Sequence, residues 1–133
     1  MRVEVVTVKG PALSRNDVEM VVAPGIRGEF TVLPNHIPFL SGMRTGVLVV
    51  RRGTQRESFA VGPGFVEGGA GDRVIVLTEA AETPDQVDRA DARGDLEKAD
   101  AELKTLVEGT PEHTDALARK NWALSRIEVA TKK

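Results

Sequence analysis

The sequence of 133 residues contains no cysteine. Disulfides, thiolate metal ligands and cysteine nucleophiles are therefore excluded, and the composition fits a reducing compartment. A basic block is absent as well, because the formal net charge is −2 and both signs are spread along the chain. Nucleic-acid binding depends on clustered positive charge, so we expect no nucleic-acid partner.

Long apolar runs are also missing. The first ten residues have no extended apolar stretch of the kind that signal peptides contain. The longest apolar runs, such as residues 47–50, are far too short to cross a bilayer. We therefore expect any membrane contact to occur through a partner protein.

The first 82 residues contain short Val-rich segments separated by Gly and Pro. All but two of the thirteen glycines lie here. Alternating polarity, as in residues 57–61, is typical of half-buried antiparallel strands. The predicted strands are 2–8, 18–23, 29–33, 46–51, 55–61, 64–67 and 73–77. This pattern predicts an antiparallel β-sandwich, with a core that includes Val5, Val21, Phe30, Val49, Phe59 and Val76.

From Thr83 the periodicity changes to that of a helix. Thr83, Pro84 and Gln86 form the pattern of a capping box with proline at the first helical position. The apolar residues that follow alternate at spacings of four and three, as in a heptad: Ala92, Leu96, Ala99, Leu103 and Leu106. Gly109 is placed to end this first helix.

Thr110 and Pro111 repeat the start signal and predict a second helix that runs to about residue 131. Its expected apolar residues are Leu117, Ala123, Leu124, Ile127 and Ala130. The short connection requires an antiparallel pair, so the chain divides into a β domain, 1–82, and a helical hairpin, 83–133. The apolar stripe is narrow and rich in Ala, so we expect the hairpin to be marginally stable alone and able to adopt more than one arrangement.

No catalytic constellation is recognisable. His36 lies in a loop between two prolines, and His113 lies in the first turn of the second helix, where we interpret it as a solvated residue. The Gly-rich segments 62–64 and 68–71 join strand to strand, so they are interpreted as turns rather than phosphate-binding loops. Carboxylates in the hairpin alternate with Arg and Lys as on a solvated helix face. We predict no metal and no cofactor.

Trp122 is the only tryptophan. It is much bulkier than the alanines near it in the predicted helix, so it fits poorly between two closely packed helices. Contact with the β domain or a partner, and packing within the hairpin, both remain open.

Several segments, in order along nearly the whole chain, resemble the epsilon subunit of F-type ATP synthases. Residues 3–7 and 18–25 resemble the first two strands of that family. The most specific segment is 28–40, in which a Gly-Glu dipeptide runs into a Leu-Pro-x-His-x-Pro loop. Residues 46–48, 59–67 and 74–82 follow in the expected order.

The resemblance implies a non-catalytic part of a rotary machine. It implies a β-sandwich at the foot of the central stalk, against the gamma subunit and the ring of c subunits, with Glu29 and His36 on the c-ring side. It also implies a hairpin that either folds onto the sandwich or extends along gamma into the alpha/beta catalytic head and inhibits ATP hydrolysis. Basic residues are concentrated in the last helix and tail, and we expect these to meet acidic surface in the head: Arg119, Lys120, Arg126, Lys132 and Lys133.

Some bacterial members of the family bind ATP between the two helices through an Ile/Leu-Asp-x-x-Arg-Ala motif. Here the motif is only partial. Asp88 matches, but Asp91 stands in place of the motif arginine and would repel a phosphate. In the second helix Arg126 matches a motif arginine, whereas Trp122 stands where another is expected. We therefore do not expect the hairpin to sense ATP.

The leading hypothesis is a regulatory subunit of a proton-translocating ATP synthase (or a sodium-translocating one). It would be a peripheral protein on the cytoplasmic face of the bacterial inner membrane, with a plastid as the alternative. A second hypothesis is a free-standing ligand-binding module of the same architecture. A third, an enzyme that uses His36 as acid and base, lacks a second catalytic group. Co-purification with gamma distinguishes the first hypothesis from the second.

Overall fold

A computed structural model describes residues 1–131, and Lys132 and Lys133 lie outside the described residues. It contains ten strands, one turn of 3₁₀ helix (Pro84–Gln86) and two α-helices, α1 (Arg89–Leu103) and α2 (Pro111–Thr131). The strands are β1 (Arg2–Thr7), β2 (Gly10–Arg15), β3 (Met20–Gly25), β4 (Gly28–Val32), β5 (Phe39–Met43), β6 (Gly46–Arg52), β7 (Gln55–Val61), β8 (Gly64–Gly69), β9 (Arg73–Thr78) and β10 (Ala81–Glu82).

The strands form two layers joined through β3. The hydrogen-bonded order is β10-β7-β6-β3-β5-β8-β9-β1-β2, and β4 pairs with β3. The junction between the layers is narrow, since β3 and β5 are in register only where Gly25 lies opposite Met43. The predicted β-sandwich followed by two helices is confirmed. The pairing is antiparallel except between β1 and β9, which are parallel.

The core lies between the two layers and is almost entirely aliphatic. Of the six predicted core residues, Val5, Val21, Phe59 and Val76 are buried. The prediction was wrong for Val49, which is only half-buried. In β6 the buried residues are Leu48 and Val50, and because side chains alternate along a strand, Val49 points to the outer surface. Phe30 is also half-buried and packs at the edge of the core.

Three strands were not predicted. Strand β2 contains the Gly10-Pro11 pair that the sequence marks as a turn, and it lies at the edge of the sheet, where proline is tolerated because one side of the strand needs no ladder hydrogen bond. Strand β5 contains Ser41 and Gly42, which weaken its strand signal. Strand β10 has only two residues and pairs with β7.

The first helix begins later than predicted. Gln86 Oε1 accepts from Thr83 N at 2.9 Å, so the capping box exists, but it closes a single 3₁₀ turn. Val87 is extended, with φ −78° and ψ 123°, which interrupts the helix. Asp88 then caps α1, where its Oδ1 accepts from Asp91 N at 3.0 Å.

The buried residues of the hairpin are mostly alanines. Helix α1 buries Ala92 and Ala99, and α2 buries Ala116, Ala123, Ser125, Arg126, Val129 and Ala130. The prediction that Leu117 and Leu124 lie in the apolar stripe was wrong, because each is 42% exposed. Alanine lets two helices approach closely, so the larger leucines lie one position away, on the side of α2 that faces the β domain.

Candidate functional site

The loop of residues 33–38 is held against the β domain by His36. The His36 ring meets Phe39 edge to face, with centroids 5.6 Å apart, and its Nδ1 lies 3.2 Å from the carbonyl oxygen of Ile37. Its Nε2 atom is buried and has no hydrogen-bond partner within residues 1–131. The ring is therefore turned inward, while Leu33 and Ile37 are 56% and 81% exposed.

Glu29 lies on a different surface from His36. It is exposed in β4 and lines the groove between α2 and the β domain, together with Arg44, Leu117 and Leu124. Phe30, the next residue, lines the cleft that contains His36. Because successive side chains of a strand point to opposite faces, the two residues predicted on the c-ring side border different clefts.

The buried guanidinium of Arg126 joins three elements. Arg126 is 8% exposed, and its Nε donates to Glu82 Oε1 at 2.9 Å. Its Nη1 lies 3.7 Å from Asp95 Oδ2 on α1. Glu82 belongs to β10, so this cluster, the Arg126 clasp, links α2 to both α1 and the β domain. A buried charge needs such partners, because an unpaired one is strongly disfavoured.

Arg119 and Lys120 bind α1 rather than standing free. On α1, Glu102 lies 2.6 Å from Arg119 and Asp100 lies 2.9 Å from Lys120. Arg119 also lies 3.0 Å from Asp115, one turn away on α2 itself. Hydrogen bonding to Glu102, and secondly to Asp115, raises the pKa of Arg119 above its usual value. These pairs are largely exposed, and exposed pairs stabilise only weakly and weaken with salt.

The start of α1 and the end of α2 are joined by a hydrogen bond. Arg89 Nη2 donates to the carbonyl oxygen of Ala130 at 2.7 Å, where a cation also interacts favourably with the helix dipole. Asp88 caps the start of α1. Trp122 is half-buried, and its carbonyl oxygen accepts from Ser125 Oγ at 2.8 Å. The two residues that match the partial nucleotide motif, Asp88 and Arg126, therefore already have structural roles.

The sequence prediction missed an apolar outer face on the second layer. Phe65 and Leu77 are directly paired across β8 and β9 and are 54% and 46% exposed. Val8 and Ile26, which are 83% and 68% exposed, line the same shallow cleft. Large exposed apolar patches mark interaction surfaces. The signal was the alternation in β8 and β9, which leaves Phe65 and Leu77 facing away from the core.

Neither a metal centre nor a membrane span is recognisable in the described part of the chain. Residues 1–131 contain no group of three or more His, Cys, Asp or Glu that could hold a metal ion. Within the same range no helix is long and apolar enough to cross a membrane. What the described residues offer is a set of contact surfaces and ion pairs.

A family model described as "ATP synthase, Delta/Epsilon chain, beta-sandwich domain" matches residues 1–84. The chain is 39% identical to "ATP synthase epsilon chain 2" of Syntrophotalea carbinolica, over 98% of this chain and 93% of the relative. The chain belongs to the ATP synthase epsilon-chain family. A second relative, the "ATP synthase epsilon chain" of Alkalihalophilus pseudofirmus, is 35% identical over 99% of this chain and 98% of its own length.

Two solved structures share the fold of this epsilon-family chain. A chain in the Euglena gracilis mitochondrial ATP synthase (OSCP/F1/c-ring) matches with a TM-score of 0.82 and 18% identity, covering 97% of this chain and 79% of that one. A chain in the Tetrahymena thermophila mitochondrial ATP synthase central stalk and c-ring matches with a TM-score of 0.61 and 16% identity, covering 99% and 94%. The family resemblance seen in the sequence is confirmed.

Proposed function

We propose that this chain is a non-catalytic epsilon subunit that joins gamma to the c-ring in the central stalk of an ATP synthase. Its hairpin restrains ATP hydrolysis when it extends into the alpha/beta head. The proposal puts the chain at the cytoplasmic face of a bacterial inner membrane, attached through the complex alone. The observation that supports it most is how the hairpin is attached: the ion pair between Arg126 and Glu82 joins α2 to the β domain, and other ion pairs join the two helices to each other.

The β domain supplies two surfaces for this role. The apolar outer face of Val8, Ile26, Phe65 and Leu77 suits a permanent partner, because burying it removes apolar area from water; we assign it to gamma. The 33–38 loop suits the c-ring, because the exposed apolar side chains of Leu33 and Ile37 project from a fixed backbone. In this assignment His36 positions the loop from within.

The hairpin supplies the regulatory element. In the folded form Arg119, Lys120 and Arg126 bind Glu102, Asp100 and Glu82. Extension of the hairpin would release these cations, which could then pair with acidic surface in the catalytic head. Each cation would exchange one carboxylate partner for another, so the two states could lie within a few kcal/mol and respond to partner contacts.

Deletion of residues from Thr83 onward tests the regulatory role. The assembled complex with the truncated chain should hydrolyse ATP faster than the complex with the full chain, while ion transport stays coupled to hydrolysis. Co-purification of the truncated chain with gamma is the control for assembly. If the truncated complex assembles normally and hydrolyses ATP at the intact rate under every nucleotide condition, the inhibitory role is wrong.

Charge variants on the two helices separate the states further. Asp100→Asn with Glu102→Gln removes the folded-state partners but keeps Arg119 and Lys120, so it should favour extension and slow ATP hydrolysis. Arg119→Ala with Lys120→Ala removes the cations that the extended state needs and should speed hydrolysis. Equal rates for both variants and the parent would contradict the exchange of partners.

A further inference from the structure

A single charged hydrogen bond attaches the 33–38 loop to the turn between β8 and β9. Asn35 N donates to Asp72 Oδ1 at 2.7 Å, although 37 positions separate the two residues in sequence. The Asp72 carbonyl oxygen also accepts from Arg2 N at 3.0 Å. Asp72 therefore connects the loop to the first strand of the β domain.

The backbone on both sides of this hydrogen bond is left-handed. Asn35 has φ 65° and Asp72 has φ 58°, a region that Asn and Asp tolerate better than most residues. Pro34 followed by a left-handed Asn35 is the pattern of a type II turn. The Asp72 carboxylate thus accepts a hydrogen bond from the Asn35 amide N–H, which has no acceptor within the turn itself.

The other side of the loop rests on Gly68. A Cβ at this position would collide with the Phe39 ring and would lie 3.0 Å from His36 Cε1. His36 and Phe39 therefore fit closely over the backbone of β8. With Asp72 on one side and these rings on the other, Leu33 and Ile37 are presented from a fixed loop.

We propose that Asp72 is a positioning residue, which holds the 33–38 loop in the conformation that its partner binds. This rests on the proposed function, in which the loop's partner is the c-ring. In this proposal Asp72 acts through the loop that it holds. Its contribution is preorganisation, since a loop already held in its bound conformation loses less entropy on binding.

Two substitutions at Asp72 form a matched pair. Asp72→Gly tolerates the left-handed backbone but removes the acceptor. Asp72→Asn also tolerates it and keeps an acceptor oxygen, so it should largely restore the loop. Amide hydrogen exchange at Asn35 should be about tenfold faster or more in the Gly variant, as loss of a hydrogen bond to a charged acceptor predicts. Unchanged exchange at Asn35 would overturn the proposal.

The second readout is ion transport per ATP hydrolysed by the assembled complex. Asp72→Gly should lower this ratio, and Asp72→Asn should restore most of it. Ile37→Asp tests the partner assignment separately, because it changes the exposed tip without touching Asp72. If Ile37→Asp lowers the ratio and Asp72→Gly does not, positioning by Asp72 is overturned. If neither variant changes the ratio, the proposed partner of the loop is wrong, and this inference falls with it.

Discussion

The β domain and the hairpin are stabilised in different ways. The β domain has a continuous core of Val, Leu, Met and Phe side chains contributed by both layers. The hairpin buries mainly alanines, and ion pairs join its helices to each other and to Glu82. Burial of large apolar side chains is strong and non-directional, whereas ion pairs can be exchanged for others. We infer that the first region is a stable platform and the second a detachable element.

The largest expected effect is a cavity in the β core. Leu48 is fully buried, and Leu48→Ala should lower the free energy of unfolding by about 2–5 kcal/mol. Denaturant unfolding of the full chain measures this. Ala123→Gly in the hairpin is the matched change and should cost about 1 kcal/mol. Equal losses for the two variants would contradict the difference between the regions.

Next in size is the Arg126 clasp. Arg126→Ala leaves Glu82 without its cation, and since the Glu82 side chain is 27% exposed we expect a cost below the roughly 3–5 kcal/mol of breaking a fully buried ion pair. Loss of this ion pair should detach the hairpin rather than unfold the β domain. The measured change in free energy therefore cannot exceed the free energy with which the hairpin docks on the β domain. Amides of α2 should exchange faster while those of β6 keep their protection. Arg93→Ala, at an exposed position on α1, is the control and should change neither.

A smaller effect is expected from overpacking the helix contact. Ala99 is fully buried on α1, and Ala99→Leu should force the helices apart at a cost of about 1–3 kcal/mol. In the assembled complex the weakened folded state should favour extension and slow ATP hydrolysis. Ala101→Leu, at an exposed position of the same helix, should leave the rate unchanged. A faster rate with Ala99→Leu would mean that the folded hairpin is the inhibitory form.

The smallest expected effect is that of nucleotide. Arg126 is already paired with Glu82, and Asp91 replaces the motif arginine, so ATP should leave the melting temperature of the isolated chain nearly unchanged. Binding at ten times Kd would add about 1.4 kcal/mol, which is a shift of a few degrees for a chain of this size. A reproducible shift of that size would show that the hairpin binds ATP despite these contacts.

The sequence predicted the β-sandwich and the two helices better than it predicted which side of each strand or helix is buried. Glycine and proline positions predicted most strands, because turn chemistry is local. Residue size misled the prediction for α2: Leu117 was expected inside and is exposed, whereas Ala116, which was not predicted, is buried where the helices approach closely. Val49 was misassigned because adjacent valines in β6 do not reveal which face meets the core.

The candidate site was predictable only in part. The 28–40 segment identified the loop with His36, but the inward turn of the ring depends on Phe39 and Gly68, which meet it through tertiary packing. The cations of α2 were visible, whereas their carboxylate partners were not, since Glu82 and Arg126 are 44 positions apart. Contacts of this separation are set by the docking of the helices on the sheet.

Native-state hydrogen exchange on the full chain tests most directly whether the hairpin opens separately from the β domain. We expect two classes of amide: those of α1 and α2 exchange through an opening of low free energy, and those of β3, β6 and β9 exchange only through global unfolding. Added salt should lower the first free energy more than the second, because the exposed ion pairs are screened. A single free energy of opening for the helices and the strands would contradict this expectation and would mean that the hairpin is an inseparable part of the β domain.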